Sequence, residues 1–333
     1  MDNLTHTLTG LLLSRAGLGK LAPRATLILV MAVNAPDIDI VTSLGGAHTY
    51  LHYHRHYTHG LPMLPLLAIL PVLLAGLVRR PAKFSFVKGW LVSMAGILTH
   101  VLLDWTNIYG IRLWSPASEQ WLRLDITSVV DLWIWALLLL AVLWPLLSRM
   151  VNSEIGAPVK AGPGLARAAL IAVLLYSGAR YFLHERAVET LNSHLYEGQT
   201  PLRVFALPHF ANPFQWRGLV ELDQAWVLTS VDLQRDYDPS SGRAYFQAPS
   251  SPAVHAAREH EVFRAARDFS SSLLWQEMIS PEPGAGYEVT ATDLRFALPQ
   301  DGRFQARARV SSTGKVEEAE FRFRAPGGLP RPR

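Results

Sequence analysis

The chain has 333 residues, a length that accommodates two domains of ordinary size. Half of its residues are hydrophobic and only 17% are charged, well below the roughly 25% typical of soluble domains. Cysteine is absent, which excludes disulfides and thiolate metal sites, so any metal must be held by His, Asp or Glu. The net charge is only +4, and no basic stripe is interleaved with aromatic residues, so nucleic acid is not expected as a partner.

Long apolar runs fill residues 1–183 and predict an α-helical polytopic membrane domain of about six helices. Two runs, at 4–18 and 25–38, are short and interrupted by polar residues, so they predict a hairpin that either dips into the bilayer or spans it. Four more runs approach or reach the about 20 residues that a crossing needs. They lie at 61–78, 89–105, 128–147 and 165–183.

Basic residues in alternate loops predict the orientation of these segments, because cytoplasmic loops are enriched in Lys and Arg. They are Arg15, Lys20, Arg24, Arg79, Arg80, Lys83, Lys88, Arg149, Lys160 and Arg167. The N-terminus, the loops 37–60 and 104–127 and the C-terminal domain should then face outside. We therefore expect a multi-pass protein of the cell (inner) membrane, in contact with membrane lipids. Its oligomeric state is left open.

The composition changes near residue 183, and residues 184–325 predict a small extramembrane α+β domain with an antiparallel sheet. Strand-like alternation occurs at 203–207, 214–222, 225–233, 287–298, 304–311 and 316–324, with one helix-like stretch at 253–269. The tail 326–333 is rich in Pro and Gly, which predicts disorder. No catalytic constellation is apparent in this half.

Ionisable residues recur at the predicted outer ends of the membrane segments, and we interpret them as candidate metal ligands. They are Asp2, His6, Asp37, Asp39, His54, His59, His100 and Asp104. His100 and Asp104 are four residues apart in an apolar helix and therefore share one face. A charge inside such a helix costs on the order of 3 kcal/mol, which favours a functional role over the alternative of a structural salt bridge.

The other candidates sit on less regular segments. Pro36 should break the second run, which frees Asp37 and Asp39 from helical geometry. His54 and His59 are five residues apart, which suits an irregular turn better than one helical face. Nitrogen and carboxylate donors favour Zn²⁺, with Mn²⁺ or Fe²⁺ as alternatives, and eight candidate ligands allow one or two ions.

Five residues are candidates for catalytic or supporting roles. Arg55 could bind an anionic group of a substrate or could be an interfacial arginine that snorkels. Asp39 could act beside the metal, and Asp131, inside the start of the fifth run, could reach the same site. Asn34 and Asn107 could hydrogen-bond to the ligands or cap helices.

Taken in order, these motifs resemble the YdjM-type family of inner-membrane proteins, described as membrane-bound metal-dependent hydrolases. The matching stretches are Met1-Asp2-Asn3-Leu4-Thr5-His6, Asn34-Ala35-Pro36-Asp37-Ile38-Asp39, His54-Arg55-His56-Tyr57-Thr58-His59-Gly60, Thr99-His100-Val101-Leu102-Leu103-Asp104, Tyr109-Gly110-Ile111-Arg112-Leu113-Trp114-Ser115-Pro116, Leu124-Asp125 and Val130-Asp131. They span roughly the first 135 residues. The ligand pattern is also similar in type to that of zinc-dependent phospholipase C.

The resemblance implies a hydrolase in which a bound ion activates water against a lipid or phosphoester substrate. Two other classes stay open. A transporter or metal-handling protein would also carry intramembrane His and Asp, but along a path across the bilayer. A non-enzymatic membrane scaffold would depend on its outer domain instead of on these residues.

Overall fold

The computed structural model describes residues 1–77, 84–155, 163–280 and 286–324. The predictions for Arg79, Arg80, Lys83, Lys160 and the tail 326–333 fall outside these residues. The described chain divides into two compact units. The helical unit comprises Met1–Asp39, Arg55–His184 and Pro208–Pro213, and the C-terminal unit comprises Ile40–His54, Glu185–Leu207 and Phe214–Arg333. The domain boundaries predicted at 183/184 and 325/326 stay predictions.

The described α-helices follow one another with short 3-10 segments between several of them. They are α1 (Asn3–Ala16), α2 (Ala25–Ala32), α3 (Ala47–Tyr53), α4 (Leu64–Leu67), α5 (Ile69–Leu77), α6 (Phe86–Thr106), α7 (Leu132–Ile155), α8 (Gly164–Asn192), α9 (Pro252–Glu259) and α10 (Glu261–Phe269). A helical N-terminal region is therefore confirmed. In α8 the helix continues nine residues beyond the predicted end at 183, because no Gly or Pro interrupts it there.

Two of these helices, α6 and α8, are long and apolar enough to cross a membrane. The number of spans rises to four if each of two bent helix pairs counts as one, and α7 adds a shorter apolar stretch, Leu132–Pro145. The protein is thus a membrane protein with two to four candidate spans among the described residues. The expectation of about six crossings stays a prediction.

Small residues let the helices around the N-terminus approach one another closely. A Cβ on Gly10 of α1 would lie 2.7 Å from a methyl group of Val33, and one on Gly96 of α6 would lie 2.8 Å from the Cβ of Ala32. Close approach through glycine is a common way of packing helices in membranes. Here it brings the C-terminal end of α2 against α6, one turn before His100.

The second apolar run is not a continuous helix. α2 ends at Ala32, and a 3-10 segment, Pro36–Gly45, carries Asp37 and Asp39. The predicted break of the α-helix before Pro36 is confirmed, since proline disfavours helical geometry in the residue before it. The expectation that Asp37 and Asp39 leave helical geometry is wrong, because proline is tolerated at the start of a helix and both residues lie in the 3-10 helix that begins at Pro36. The run that begins at residue 61 is also divided, into a 3-10 turn followed by α4 and α5.

Within its described residues, the C-terminal unit contains two four-stranded antiparallel meanders instead of the one sheet expected. Their strands are β1 (Arg203–Pro208), β2 (Gln215–Glu221), β3 (Ala225–Asp232), β4 (Arg243–Phe246), β5 (Leu273–Ile279), β6 (Tyr287–Asp293), β7 (Gln305–Val310) and β8 (Val316–Arg322), in the orders β1-β2-β3-β4 and β5-β6-β7-β8. Six strands match the predicted segments. Alternation does not predict β4 and β5, because β4 is only four residues long and β5 begins with three consecutive buried residues.

The predicted helix 253–269 is two helices. His260 separates α9 from α10 in an extended conformation, and its ring nitrogen accepts a hydrogen bond from the backbone of Val262, which caps α10. The buried faces of both helices pack against the second meander. An extended residue between two helical segments leaves the apolar periodicity almost unchanged, which is why the sequence did not reveal it.

Candidate metal centre

Four ionisable side chains from three segments of the helical unit converge. Asp37 comes from the 3-10 segment after α2, His59 from a 3-10 turn at Tyr57–His59, and His100 and Asp104 from one face of α6. Each offers one ligand atom, and these atoms all lie within 4.8 Å of one another. The expected sharing of a face by His100 and Asp104 is thus realised with both side chains fully buried.

The separations between the ligand atoms fit a small divalent ion. The two imidazole Nε2 atoms are 3.1 Å apart, and each lies 3.3 Å from Oδ2 of Asp104. Oδ1 of Asp37 is more distant, at 3.8 Å from His59 and 3.7 Å from His100. Tetrahedral ligands with bonds of about 2.0–2.2 Å stand roughly 3.3–3.6 Å from one another. The separations among His59, His100 and Asp104 are close to these values, whereas Asp37 would have to move inward.

The ring of His100 is oriented by the end of α2. Its Nδ1 lies 2.8 Å from the carbonyl oxygen of Val33, which can only accept a hydrogen bond. Nδ1 therefore carries the proton, and in the neutral ring Nε2 presents a lone pair toward the other ligands. A backbone carbonyl that fixes the tautomer of a ligand histidine is a common feature of metal sites.

The ring of His59 is oriented by Thr58 and Asp39. The Thr58 hydroxyl donates to Oδ2 of Asp39 at 3.1 Å and lies 3.0 Å from Nδ1 of His59. Since that hydroxyl has one proton and gives it to the carboxylate, it accepts from Nδ1. Asp39 also receives the backbone N–H of Arg55 at 2.7 Å, which fixes the carboxylate in place. Its position suits orientation of a ligand better than direct binding.

These hydrogen bonds leave an excess of electron pairs at the centre. With both Nδ1 atoms protonated, the neutral rings of His59 and His100 bring two unprotonated nitrogens to 3.1 Å. Carboxylate oxygens of Asp37 and Asp104 complete the same group. The guanidinium of Arg55 and the α-amino group of Met1 offset the charge of Asp104 from outside this group. A cation among the four donors would relieve the repulsion that remains between their lone pairs. The donor set therefore fits a divalent metal.

Only one of the four ligands touches solvent. The side chain of Asp37 is 15% exposed, whereas the side chains of His59, His100 and Asp104 are fully buried. Asp37 also has the longest separations from its neighbours. Water or a substrate atom would thus meet the centre on the Asp37 side, where the ligand is most easily displaced.

Arg55 lies inside the site and holds Asp104. Its NH2 is 3.2 Å from Oδ2 of Asp104, and its NH1 donates to Oδ1 of Asn107 at 3.3 Å and to the carbonyl oxygen of Gly110 at 3.0 Å. The guanidinium also lies over the ring of Tyr109. Through these contacts Arg55 positions the carboxylate of Asp104, one of the four candidate ligands. Anion binding by Arg55 stays a prediction.

His6 and the α-amino group of Met1 lie on the other side of Asp104. The amino group forms an ion pair with Oδ1 of Asp104, and Nε2 of His6 is 3.4 Å from the same atom. The ring of His6 stacks on His100 with centroids 3.8 Å apart. His6 is therefore adjacent to the four-residue group without belonging to it.

Three other candidates lie elsewhere in the described structure. Asp2 caps α1, and its carboxylate accepts from Leu4 N, Thr5 N, the Thr5 hydroxyl and Trp135 Nε1. Asp131 caps α7 and accepts from the Tyr176 hydroxyl. His54 belongs to the C-terminal unit, where it stacks on Tyr50. None of the three is in the four-residue group. Their assignment to the site stays a prediction.

Sequence reasoning named some supporting residues and missed others. Asn107 does contact a ligand, since its side-chain amide lies 3.3 Å from Asp104 Oδ1. Asn34, two residues after α2, instead donates to the Thr7 hydroxyl of α1 and to the carbonyl oxygen of Val30 in α2. The carbonyl of Val33 and the hydroxyl of Thr58 were not assigned a role. Thr58 could have been found from its position beside His59, but a backbone carbonyl has no signal in the sequence.

The segments that build this centre fall within one family match. The model of the YdjM inner membrane protein matches residues 1–187, more than half of the chain. The chain belongs to this family. A Bacillus subtilis (strain 168) relative, the uncharacterized protein YfhP, is 25% identical over 309 residues, which cover 89% of this chain and 87% of that protein. No solved structure matches.

Proposed function

We propose that this YdjM-family protein is a membrane-bound, metal-dependent hydrolase that acts on a lipid or phosphoester substrate. The observation that carries the metal part is the facing of two Nε2 atoms 3.1 Å apart beside two carboxylates. Nitrogen and oxygen donors in this number suit Zn²⁺, with Mn²⁺ or Fe²⁺ as alternatives. Hydrolysis itself is proposed from the resemblance of the motifs to metal-dependent hydrolases.

Each residue of the site would have a distinct role. Asp37, His59, His100 and Asp104 would hold the ion, and Asp39 and Val33 would keep the two rings aimed at it. A divalent ion bound there supplies Lewis-acid chemistry and lowers the pKa of a coordinated water to about 7. Arg55 would fix Asp104 and offset part of its negative charge. Asp37, the ligand that touches solvent, would yield first to an incoming oxygen.

A lipid or lipid-linked phosphoester is proposed as the substrate class because the centre is built on α6, a candidate membrane span. A substrate that resides in the bilayer reaches such a site laterally. The distribution of Lys and Arg supports an outer, extracytoplasmic location for both the centre and the C-terminal domain. No nucleic acid partner is proposed.

Measurement of the metal content tests whether the four residues bind an ion. The full chain is purified in detergent, and bound metals are measured by mass spectrometry before and after dialysis against Zn²⁺. We expect about one ion or more per chain, and loss of that ion in His100→Ala, while His255→Ala, an exposed residue of α9, retains it. Equal, substoichiometric metal in the wild type and His100→Ala would refute the site.

Measurement of turnover tests whether the metal-loaded protein hydrolyses a phosphoester. The metal-loaded protein is incubated with detergent-dispersed phospholipids, and released phosphate and head groups are measured. Activity that disappears on chelation and in His100→Ala, and returns with added metal only in the wild type, would support hydrolysis. Transport of the divalent ion across the membranes of proteoliposomes, without turnover of any phosphoester, would replace the hydrolase proposal with a transporter.

A further inference from the structure

His6 is the feature of the site that the four-residue group does not explain. Its side chain is completely buried in α1. Neither ring nitrogen makes a hydrogen bond within the part of the chain that the structure describes. Buried polar atoms are normally satisfied, and those that are not call for a missing partner such as an ion.

The position of the ring narrows the choice of partner. The stacking of His6 on His100 keeps both rings close to Asp104, and Nε2 of His6 lies 3.4 Å from Oδ1 of that carboxylate. The other oxygen, Oδ2, faces His59 and His100 at 3.3 Å. The two oxygens of Asp104 thus face two different sets of imidazole nitrogens.

Oδ1 of Asp104 has two further nitrogen neighbours. The α-amino group of Met1 makes an ion pair with this oxygen, and the side-chain amide of Asn107 donates to it at 3.3 Å. Among these neighbours, the ring of His6 has no hydrogen bond of its own within the described residues. Hydrolytic sites with two metal ions hold them about 3.5–4 Å apart, and a carboxylate whose two oxygens face different imidazoles can serve both ions.

We propose that His6 and Oδ1 of Asp104 form a second divalent-cation position, so that Asp104 bridges a binuclear centre. This inference rests on the proposed function, because the first ion must occupy the site of Asp37, His59 and His100. Four protein ligands close a tetrahedral sphere, whereas catalytic metals keep coordination sites open. A position with one imidazole and one carboxylate oxygen leaves such sites for water or a substrate oxygen.

The test uses Mn²⁺ as the probe, because it accepts nitrogen and oxygen ligands and is visible by electron paramagnetic resonance. The full chain in detergent is stripped, loaded with excess Mn²⁺ and freed of unbound metal. His6→Phe keeps a ring that can stack on His100 and removes both nitrogens. His255→Phe, on the exposed side of α9, is the matched control.

We expect about two Mn²⁺ per chain with a spectrum of spin-coupled ions in the wild type and in His255→Phe. His6→Phe should hold about one, with the spectrum of an isolated ion. One isolated ion in both the wild type and His6→Phe would overturn the second position but leave the first intact. Two ions retained in His6→Phe would also overturn it. No bound ion in the wild type would instead overturn the proposed function.

If His6→Phe fails to fold, as judged by size-exclusion chromatography, the wild-type spectrum alone still tests whether Asp104 is shared by two ions. Uncoupled Mn²⁺ at full loading contradicts a shared Asp104, and coupled Mn²⁺ supports it. The measurement does not depend on knowing the substrate, since it reads occupancy and spin coupling without turnover.

Discussion

The two units of the molecule both bury charged side chains, but they balance them in opposite ways. In the C-terminal unit, Asp293 pairs with Arg295 through contacts of 2.7–3.1 Å, and the guanidinium lies over the rings of Phe269 and Phe296. That pair is complete in itself. In the helical unit, Asp104 contacts Arg55 and the α-amino group of Met1, and it also faces the imidazoles of His59 and His100 beside Asp37. Burial of charge alone does not identify a metal site, whereas four nitrogen and oxygen ligands that face one another indicate one.

The largest expected effect comes from Asp104→Asn, which removes the ligand charge while keeping the side-chain size. Metal affinity should fall by more than the roughly 100-fold upper limit seen when an outer-shell partner of a metal ligand is lost. Competition with a chelator in detergent measures it. Asp125→Asn changes another buried carboxylate of the helical unit, which pairs with Arg123, and should retain wild-type affinity. Unchanged affinity in Asp104→Asn would remove the contrast between the units.

Asp293→Ala tests the self-contained ion pair of the C-terminal unit. It leaves Arg295 buried without its carboxylate, which should destabilise the fold by about 3–5 kcal/mol while metal content stays unchanged. Thermal unfolding in detergent and metal analysis of the folded fraction measure both quantities. Glu318→Ala, which breaks an exposed pair with Arg309, should cost about 1 kcal/mol or less. A loss of metal in folded Asp293→Ala would contradict the division of roles.

Gly96→Ala tests whether close helix packing supports the centre. The added Cβ would meet the Cβ of Ala32 at 2.8 Å, so α2 and α6 must separate, at a cost of about 1–3 kcal/mol. Because the carbonyl of Val33 orients His100, metal affinity should fall with stability. Gly76→Ala in α5, where a Cβ meets nothing within 4 Å, is the matched control. Equal melting temperatures and affinities for the two variants would show that the packing is not needed.

A smaller loss of metal affinity than that of Asp104→Asn is expected from Asp39→Asn, which weakens the orientation of His59. Loss of a supporting carboxylate should lower metal affinity about 10–100-fold, or about 1.4–2.8 kcal/mol. Thr58→Val should act in the same direction, while Thr58→Ser, which keeps the hydroxyl that bridges Asp39 and His59, should not. Chelator competition again gives the affinities. A complete loss of metal in Asp39→Asn would instead make Asp39 a direct ligand.

The sequence predicted the structure correctly where a single local rule sets the geometry. An apolar helix fixes the angle between residues four apart, which is why the spacing of His100 and Asp104 was enough to pair them. Pro36 could be assigned as a helix break for the same kind of reason. Six of the eight strands in the C-terminal unit followed from alternation, while a short strand and one with consecutive buried residues did not.

The chain by itself determined the donor types, the absence of thiolate ligands, the membrane character and the family. Only the tertiary structure decided which donors meet. It brought Asp37 and His59 to α6, used Asp2 as a helix cap, and gave the Nδ1 atom of His100 to the carbonyl of Val33. The physical reason is that contacts between distant segments, and contacts to backbone atoms above all, depend on packing that no local pattern of side chains encodes.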